Sequence, residues 1–224
     1  MTLPPTLFQE LENVELMLMT KTDRVGRNLS YTLGDPDQTI VYTIVEEKLS
    51  TCICEDRRLP LKLKMMYEGK EVMKLDRVRA LETCFTICCN LWPCTYIFRV
   101  CSPAENVIGH MRLSSWFILG RIRVWWRYII LDENKKKIFG IIRNKNSLFG
   151  SVPLSVQRVS NKELVAQICR RWMMEPLGGI RPTPLQRWGA RFLVPMPLKE
   201  KVLILTMTLF VDYSKLSTYR SIIL

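Results

Sequence analysis

Eight cysteines and one histidine bound the side-chain chemistry open to this 224-residue chain. Cys84, Cys88, Cys89 and Cys94 fall within one short stretch beside Leu91, Trp92 and Pro93, and Cys52 and Cys54 form a second group upstream. Thiolates bind zinc tetrahedrally, but structural zinc sites draw on Cys-x-x-Cys pairs and histidines, and this cluster has neither. Cysteine also serves as a small buried hydrophobe, a role that suits Cys101 and Cys169 better than the cluster. His110 would have to anchor any Ser/His/Asp or Cys/His arrangement alone, and its strand-like surroundings point to a packed or surface imidazole. No phosphate-cradling Gly-rich loop is present, so no catalytic constellation is expected and the chain reads as a non-enzyme. Trp116, Trp125 and Trp126 with Arg121, Arg123 and Arg127 could stack on and neutralise single-stranded nucleic acid. Their alternation more simply describes the two faces of one strand. Arg170-Arg171 reads first as a solvated strand exit, and Lys135-Lys136-Lys137 as an exposed turn, although each near-surface lysine would add about 1 kcal/mol of attraction to anionic headgroups.

The elements that must position these residues are mostly strands. From about Thr39 the run Thr39 to Val45 is β-branched and aromatic, which predicts a strand. Leu61, Leu63 and Met65 alternate with Lys62, Lys64 and Met66, and Glu68-Gly69-Lys70 turns the chain into Val72 to Leu75. A second hairpin runs from Ile122 to Ile130, turns at Asp132 to Lys135 and returns through Ile138 to Ile142. A third joins Ser155–Val159 to Leu164–Trp172 through Ser160-Asn161-Lys162. Consecutive hairpins imply an antiparallel meander that hides its edges by closing or stacking. Met173 to Pro197, with three glycines and five prolines, reads as a loop region with a short strand at Ala190–Val194.

Lys199 to Tyr213 then reads KEKVLILTMTLFVDY. As a helix it is apolar on every side over Val202, Leu203, Ile204, Leu205, Met207, Leu209, Phe210 and Val211, so protein or lipid must surround it. A bilayer span needs about 20 apolar residues, and a block of about 10–14 is more often a core helix. A buried helix that fills a strand shell is therefore expected. Hydrophobic residues make up 48% of the chain and charged residues 24%, a globular composition, and the formal net charge is +12. Such a field attracts phosphates, whether on lipid headgroups or nucleic acid, and acidic proteins. Met1 to Glu12 has neither the basic start nor the apolar run of a secretory signal, so the thiols are expected to stay reduced.

The order of these pieces resembles the phospholipid scramblase family. The resemblance runs from about Leu33 to Leu216 and rests on YEGKEVMKLDR (Tyr67 to Arg77), the cysteine cluster, Ile108-Gly109, LDENKKKIFGI (Leu131 to Ile141), KELVAQICRRW (Lys162 to Trp172) and the terminal apolar helix ending at Asp212. It implies a mainly β fold: a closed, antiparallel, twelve-stranded tubby-like barrel enclosing a hydrophobic C-terminal helix. With it come the domain limits, a flexible segment over 1–28, the barrel over 29–216 with its helix at about 199–214, and a tail over 217–224.

The resemblance also carries S-palmitoylation to Cys84, Cys88, Cys89 and Cys94. Multiple acylation is physically apt, because one chain gives only marginal membrane attachment. Membership implies transbilayer movement of phospholipids without ATP, at the cytosolic face of the plasma membrane, with nucleus or cytoplasm as the alternative when the chain is not acylated. A lipid- or protein-binding module that moves nothing is the alternative function. Anionic membrane surfaces and protein partners are expected, and nucleic acid is disfavoured. An import-receptor contact is implied for Arg170 and Arg171. The family's acidic calcium segment, aligned through Gly189, Phe192 and Lys199, places its oxygen-bearing positions on Pro184, Gln186, Arg187 and Pro195. None is a carboxylate, and calcium wants six to eight oxygens, several of them charged. No metal site and no cofactor are expected.

Overall fold

Period-two burial builds the shell. In successive strands Met17 and Met19, Tyr31 and Leu33, Tyr42 and Ile44, and Leu63 and Met65 are buried while their neighbours face outward. The structure is a computed structural model, and it describes residues 9–22, 30–37, 39–47, 62–79, 96–115, 126–143, 153–170 and 187–222. A short 3-10 helix, Gln9–Asn13, precedes β1 (Leu16–Thr22), β2 (Ser30–Gly34), β3 (Val41–Glu46), β4 (Lys62–Tyr67), β5 (Lys70–Arg79) and β6 (Tyr96–Cys101). Then come β7 (Val107–Ser115), β8 (Trp126–Asp132), β9 (Lys137–Arg143), β10 (Leu154–Arg158), β11 (Leu164–Arg170), β12 (Arg187–Phe192) and the helix α1 (Leu198–Ile222).

Each strand pairs antiparallel with its neighbours in sequence, and β1 pairs with β12, from Leu16↔Arg191 to Thr20↔Arg187, so the meander closes into a twelve-stranded barrel. Closure leaves no unpaired sheet edge. The tight turns lie at one rim, where α1 begins. Glu68 and Gly69 both have positive φ (48° and 75°), which a two-residue hairpin of matching twist requires. In the turn after β8, the Asp132 carboxylate accepts from the backbone N–H groups of Asn134 (2.9 Å) and Lys136 (2.7 Å), and Lys135 takes φ 62°. The LDENKKK stretch is thus a turn held by its own aspartate.

The three sequence hairpins correspond to β4–β5, β8–β9 and β10–β11. Other limits move. Strands begin well before Thr39, and the boundary after residue 28 does not hold, because β1 lies inside that segment and closes the barrel on β2 and β12. Its sequence, LMLMTKT, is nearly all unbranched apolar residues in its first four positions, so neither alternation nor β-branching marks it as a strand. The strand expected at Ala190–Val194 starts instead at Arg187 within the Pro-rich stretch, and the helix runs from Leu198 to Ile222 rather than over about 199–214.

Candidate functional site

Pro197 immediately precedes α1, and its carbonyl accepts from the N–H groups of Glu200 (2.9 Å) and Lys201 (3.2 Å). The helix then goes into the barrel. Val202, Leu203, Ile204, Leu205, Met207, Leu209, Phe210 and Val211 are each at most 4% exposed, and the polar Thr206 and Thr208 are fully buried. Those two hydroxyls donate back to the carbonyls of Val202 (2.5 Å) and Ile204 (3.2 Å), which settles their polarity within the helix. Contacts come from neighbouring strands of the shell: Met73 of β5 against Thr206, and Phe98 of β6 and Tyr128 of β8 against Phe210 at ring-centroid distances of 4.7 and 5.7 Å. At β7 the helix packs tightly against Gly109. A Cβ on Gly109 would lie 2.7 Å from the Leu131 carbonyl oxygen and 2.8 Å from a Leu203 methyl, so glycine makes room there.

Polar groups mark both ends of the buried block. Lys201, 4% exposed, donates to the carbonyls of Leu11 (2.9 Å), Glu12 (2.6 Å) and Val14 (3.0 Å), and its ammonium lies 5.1 Å from the centre of the Phe192 ring. A cation in the first turn opposes the helix dipole. Carbonyls at the end of the 3-10 helix offset this, while burial pushes the Lys201 ammonium down from its ordinary value against the opposing charges of Glu12 and Glu15. The 3-10 segment is tied from its other side by the Tyr67 hydroxyl, which donates to Glu10 (2.5 Å). That bond, aided by burial, pushes the Tyr67 phenol up to about 12. Arg158 of β10 forms a two-pronged pair with Glu200 at 2.9 Å on each prong, and Lys199 pairs with Glu133 of the β8–β9 turn. At the other end the Tyr31 hydroxyl donates to buried Asp212 at 3.1 Å.

From Lys201 to Asp212 the helix rises roughly 17 Å. A strand of five or six residues covers about the same distance. Among the described residues no helix is long and apolar enough to cross a membrane.

The candidate acyl-cysteines Cys84, Cys88, Cys89 and Cys94 lie outside the described residues, as do Cys52, Cys54, Trp116, Trp125 and Arg171. Arg170 is the last residue of β11, paired in register with Trp188. Cys101 is buried as a free thiol and Cys169 is half-buried, and burial pushes the Cys101 thiol up, away from reactive thiolate. His110 is 7% exposed in β7 with Nδ1 3.1 Å from the Asp132 carbonyl, so Nδ1 carries the proton and the ring is a packed strand residue.

Of the calcium-segment positions, Pro184 and Gln186 lie outside the described residues. Arg187 is in the β12 ladder opposite Thr20, and Pro195 is exposed beyond its end. A glutamine, an arginine and two prolines do not fit a calcium ion. Among the described residues no three His, Cys, Asp or Glu side chains come together to hold a metal. The ties at Lys201 and Tyr67 escape sequence reasoning. The only hint is that a lysine interrupts the start of an otherwise apolar block, and its carbonyl partners lie 187 to 190 residues away.

Comparison with curated proteins and with solved structures finds no match to either. The family model described as Scramblase matches residues 6–218, which takes in every strand of the barrel and its central helix through Asp212, and so this chain belongs to the scramblase family.

Proposed function

We propose that this protein works at a phospholipid bilayer, letting phospholipids pass between leaflets without ATP and without calcium acting through the segment before the helix. Family membership supports a phospholipid-scramblase type of function in general, as a lipid translocator rather than a catalyst of covalent chemistry. The observation that carries the reading is the family match over nearly the whole chain, on a closed barrel built around an apolar helix. Pro184, Gln186, Arg187 and Pro195 in place of carboxylates argue against calcium control at that segment. Acylation of Cys84, Cys88, Cys89 and Cys94 would hold the chain on the cytosolic face of the plasma membrane, and loss of the acyl groups would release it to cytoplasm or nucleus. Two or more chains are needed, since one gives only marginal attachment.

One observation favours a second reading, a lipid- or protein-binding module that moves nothing: the helix is sheathed by strands and has no lipid-facing side over Val202–Val211. Purified protein in liposomes carrying labelled phospholipid separates the two. Redistribution between leaflets at the same rate with calcium and with chelator is expected. Binding to anionic vesicles with no redistribution would leave the binding module as the function. Changing Cys84, Cys88, Cys89 and Cys94 together to serine should shift the protein from membrane to soluble fractions in cells, and unchanged attachment would remove the acyl anchor.

A further inference from the structure

Residues 9–14 lie outside the strand ladder, packed at the end of the barrel where α1 begins. Among their described side chains Leu11 alone is fully buried, at 1% exposure, while Glu10, Glu12 and Asn13 face solvent. Leu11 sits in a socket made by Leu33 of β2, Tyr42 of β3, Met65 of β4, and Val202 and Leu205 of α1, with no room left for a water molecule. Its own carbonyl accepts from the Lys201 ammonium at 2.9 Å. One residue thus offers an apolar chain to the socket and an oxygen to the cation beside it, which is the chemical outline of an amphiphile with an anionic head.

The resident segment fits the socket better than it fits the cation. The carbonyls of Leu11, Glu12 and Val14 bring dipoles to a buried ammonium, and among the described residues no carboxylate pairs with it. A charged oxygen makes a shorter bond to an ammonium than a neutral one does, and roughly twice as strong. The segment can also leave without opening the barrel. The Glu15 carbonyl accepts from the Phe192 N–H at 2.8 Å and β1 begins at Leu16, so release of residues 9–14 stops before the ladder that closes β1 on β12. The tie from Tyr67 to Glu10 is itself exposed.

We propose that the Leu11 socket and the Lys201 ammonium form a binding site for an acyl-chain amphiphile with an anionic head, phosphate or carboxylate, and that residues 9–14 are its resident occupant, displaced when the amphiphile enters. The head takes the place of the three carbonyls on Lys201, and the first carbons of the chain take the place of the Leu11 side chain. This deepens the reading that the protein handles phospholipid, and rests on it.

The test uses the full chain and single-chain amphiphiles of equal length below their micellar concentrations: lysophosphatidate, a fatty acid and the neutral monoacylglycerol, with binding measured by calorimetry. Wild type binds an anionic amphiphile about tenfold or more tighter than the neutral one. Preference for lysophosphatidate supports the site with a phosphate head, and preference for the fatty acid supports it with a carboxylate. Lys201→Met brings anionic and neutral binding within about threefold of each other. That ratio does not depend on how firmly the segment is held, so a general loosening cannot imitate it. Leu11→Ser weakens the resident occupant and tightens anionic binding about threefold or more. A further readout needs no variant: lysophosphatidate or fatty acid speeds cleavage of wild type after Glu10 and Glu12 by a glutamate-specific protease, while the circular dichroism of the barrel is unchanged. The same anionic preference in wild type and Lys201→Met, or cleavage unaltered at saturating amphiphile, overturns the site. If no amphiphile binds while redistribution in liposomes or binding to anionic vesicles persists, the site falls and the bilayer reading stands. Loss of all three overturns both.

Discussion

Gly109 shows how one residue sets the fit between shell and filling. The space a side chain would need is taken by a backbone carbonyl at 2.7 Å and a Leu203 methyl at 2.8 Å, and the first of these cannot move without shifting β8. Gly109→Ala is expected to destabilise by about 1–3 kcal/mol, the usual cost of overpacking, measured by urea unfolding. Loss of less than a few tenths would show that the helix and β7 are farther apart. Tyr67 makes a pH prediction. Its phenol, ordinarily near 10, is raised to about 12 in the fold by Glu10, so between those values the native state holds the proton more firmly than the unfolded chain. The stability this confers is complete below pH 10 and is lost as pH rises toward 12. Tyr67→Phe should flatten that part of the alkaline decline, and a slope equal to wild type would show that the tie to the 3-10 segment is not made. Neither residue is legible in sequence, where YEGK reads only as a turn and Ile108-Gly109 only as a strand.

The helix is the element that the barrel exists to enclose, and its predictions concern what encloses it. Phe210→Ala should cost about 3–5 kcal/mol, since its ring is packed against Phe98 and Tyr128 and the space left cannot readily collapse. Lys201→Met keeps the stem and removes three donations, leaving the carbonyls of Leu11, Glu12 and Val14 without this partner at a cost of about 2–4 kcal/mol. Limited proteolysis should then cut the N-terminal segment first, and uniform resistance would mean that Lys201 does not hold it. A cysteine placed at Leu205 should resist a membrane-permeant maleimide, with and without vesicles, until denaturant is added. Labelling that appears on adding vesicles would show the helix leaving its sheath. The helix itself was legible as a block apolar on every side. The strands β1 and β12 were not, because one lacks a β pattern and the other lies in a stretch dense in glycine and proline.

At the scale of the whole molecule, barrel and helix are one cooperative unit, since an apolar helix has no stable place in water without its shell and the shell has no core without the helix. Far-UV circular dichroism and tryptophan fluorescence should therefore report the same urea midpoint, and a separate helical transition would contradict the enclosure. The antiparallel meander and the central helix were readable from local pattern, because alternation, turn residues and an all-round apolar run are written in neighbouring positions. So was the family resemblance, since it follows the order of short segments along the chain. Closure was not readable, because β1 and β12 meet across most of the chain and nothing near either announces the other. The block Val202–Val211, too short for a bilayer, was by itself compatible with any apolar surrounding. Tertiary structure made it a core helix, because the closed barrel surrounds Val202–Val211 with the buried apolar side chains of its strands.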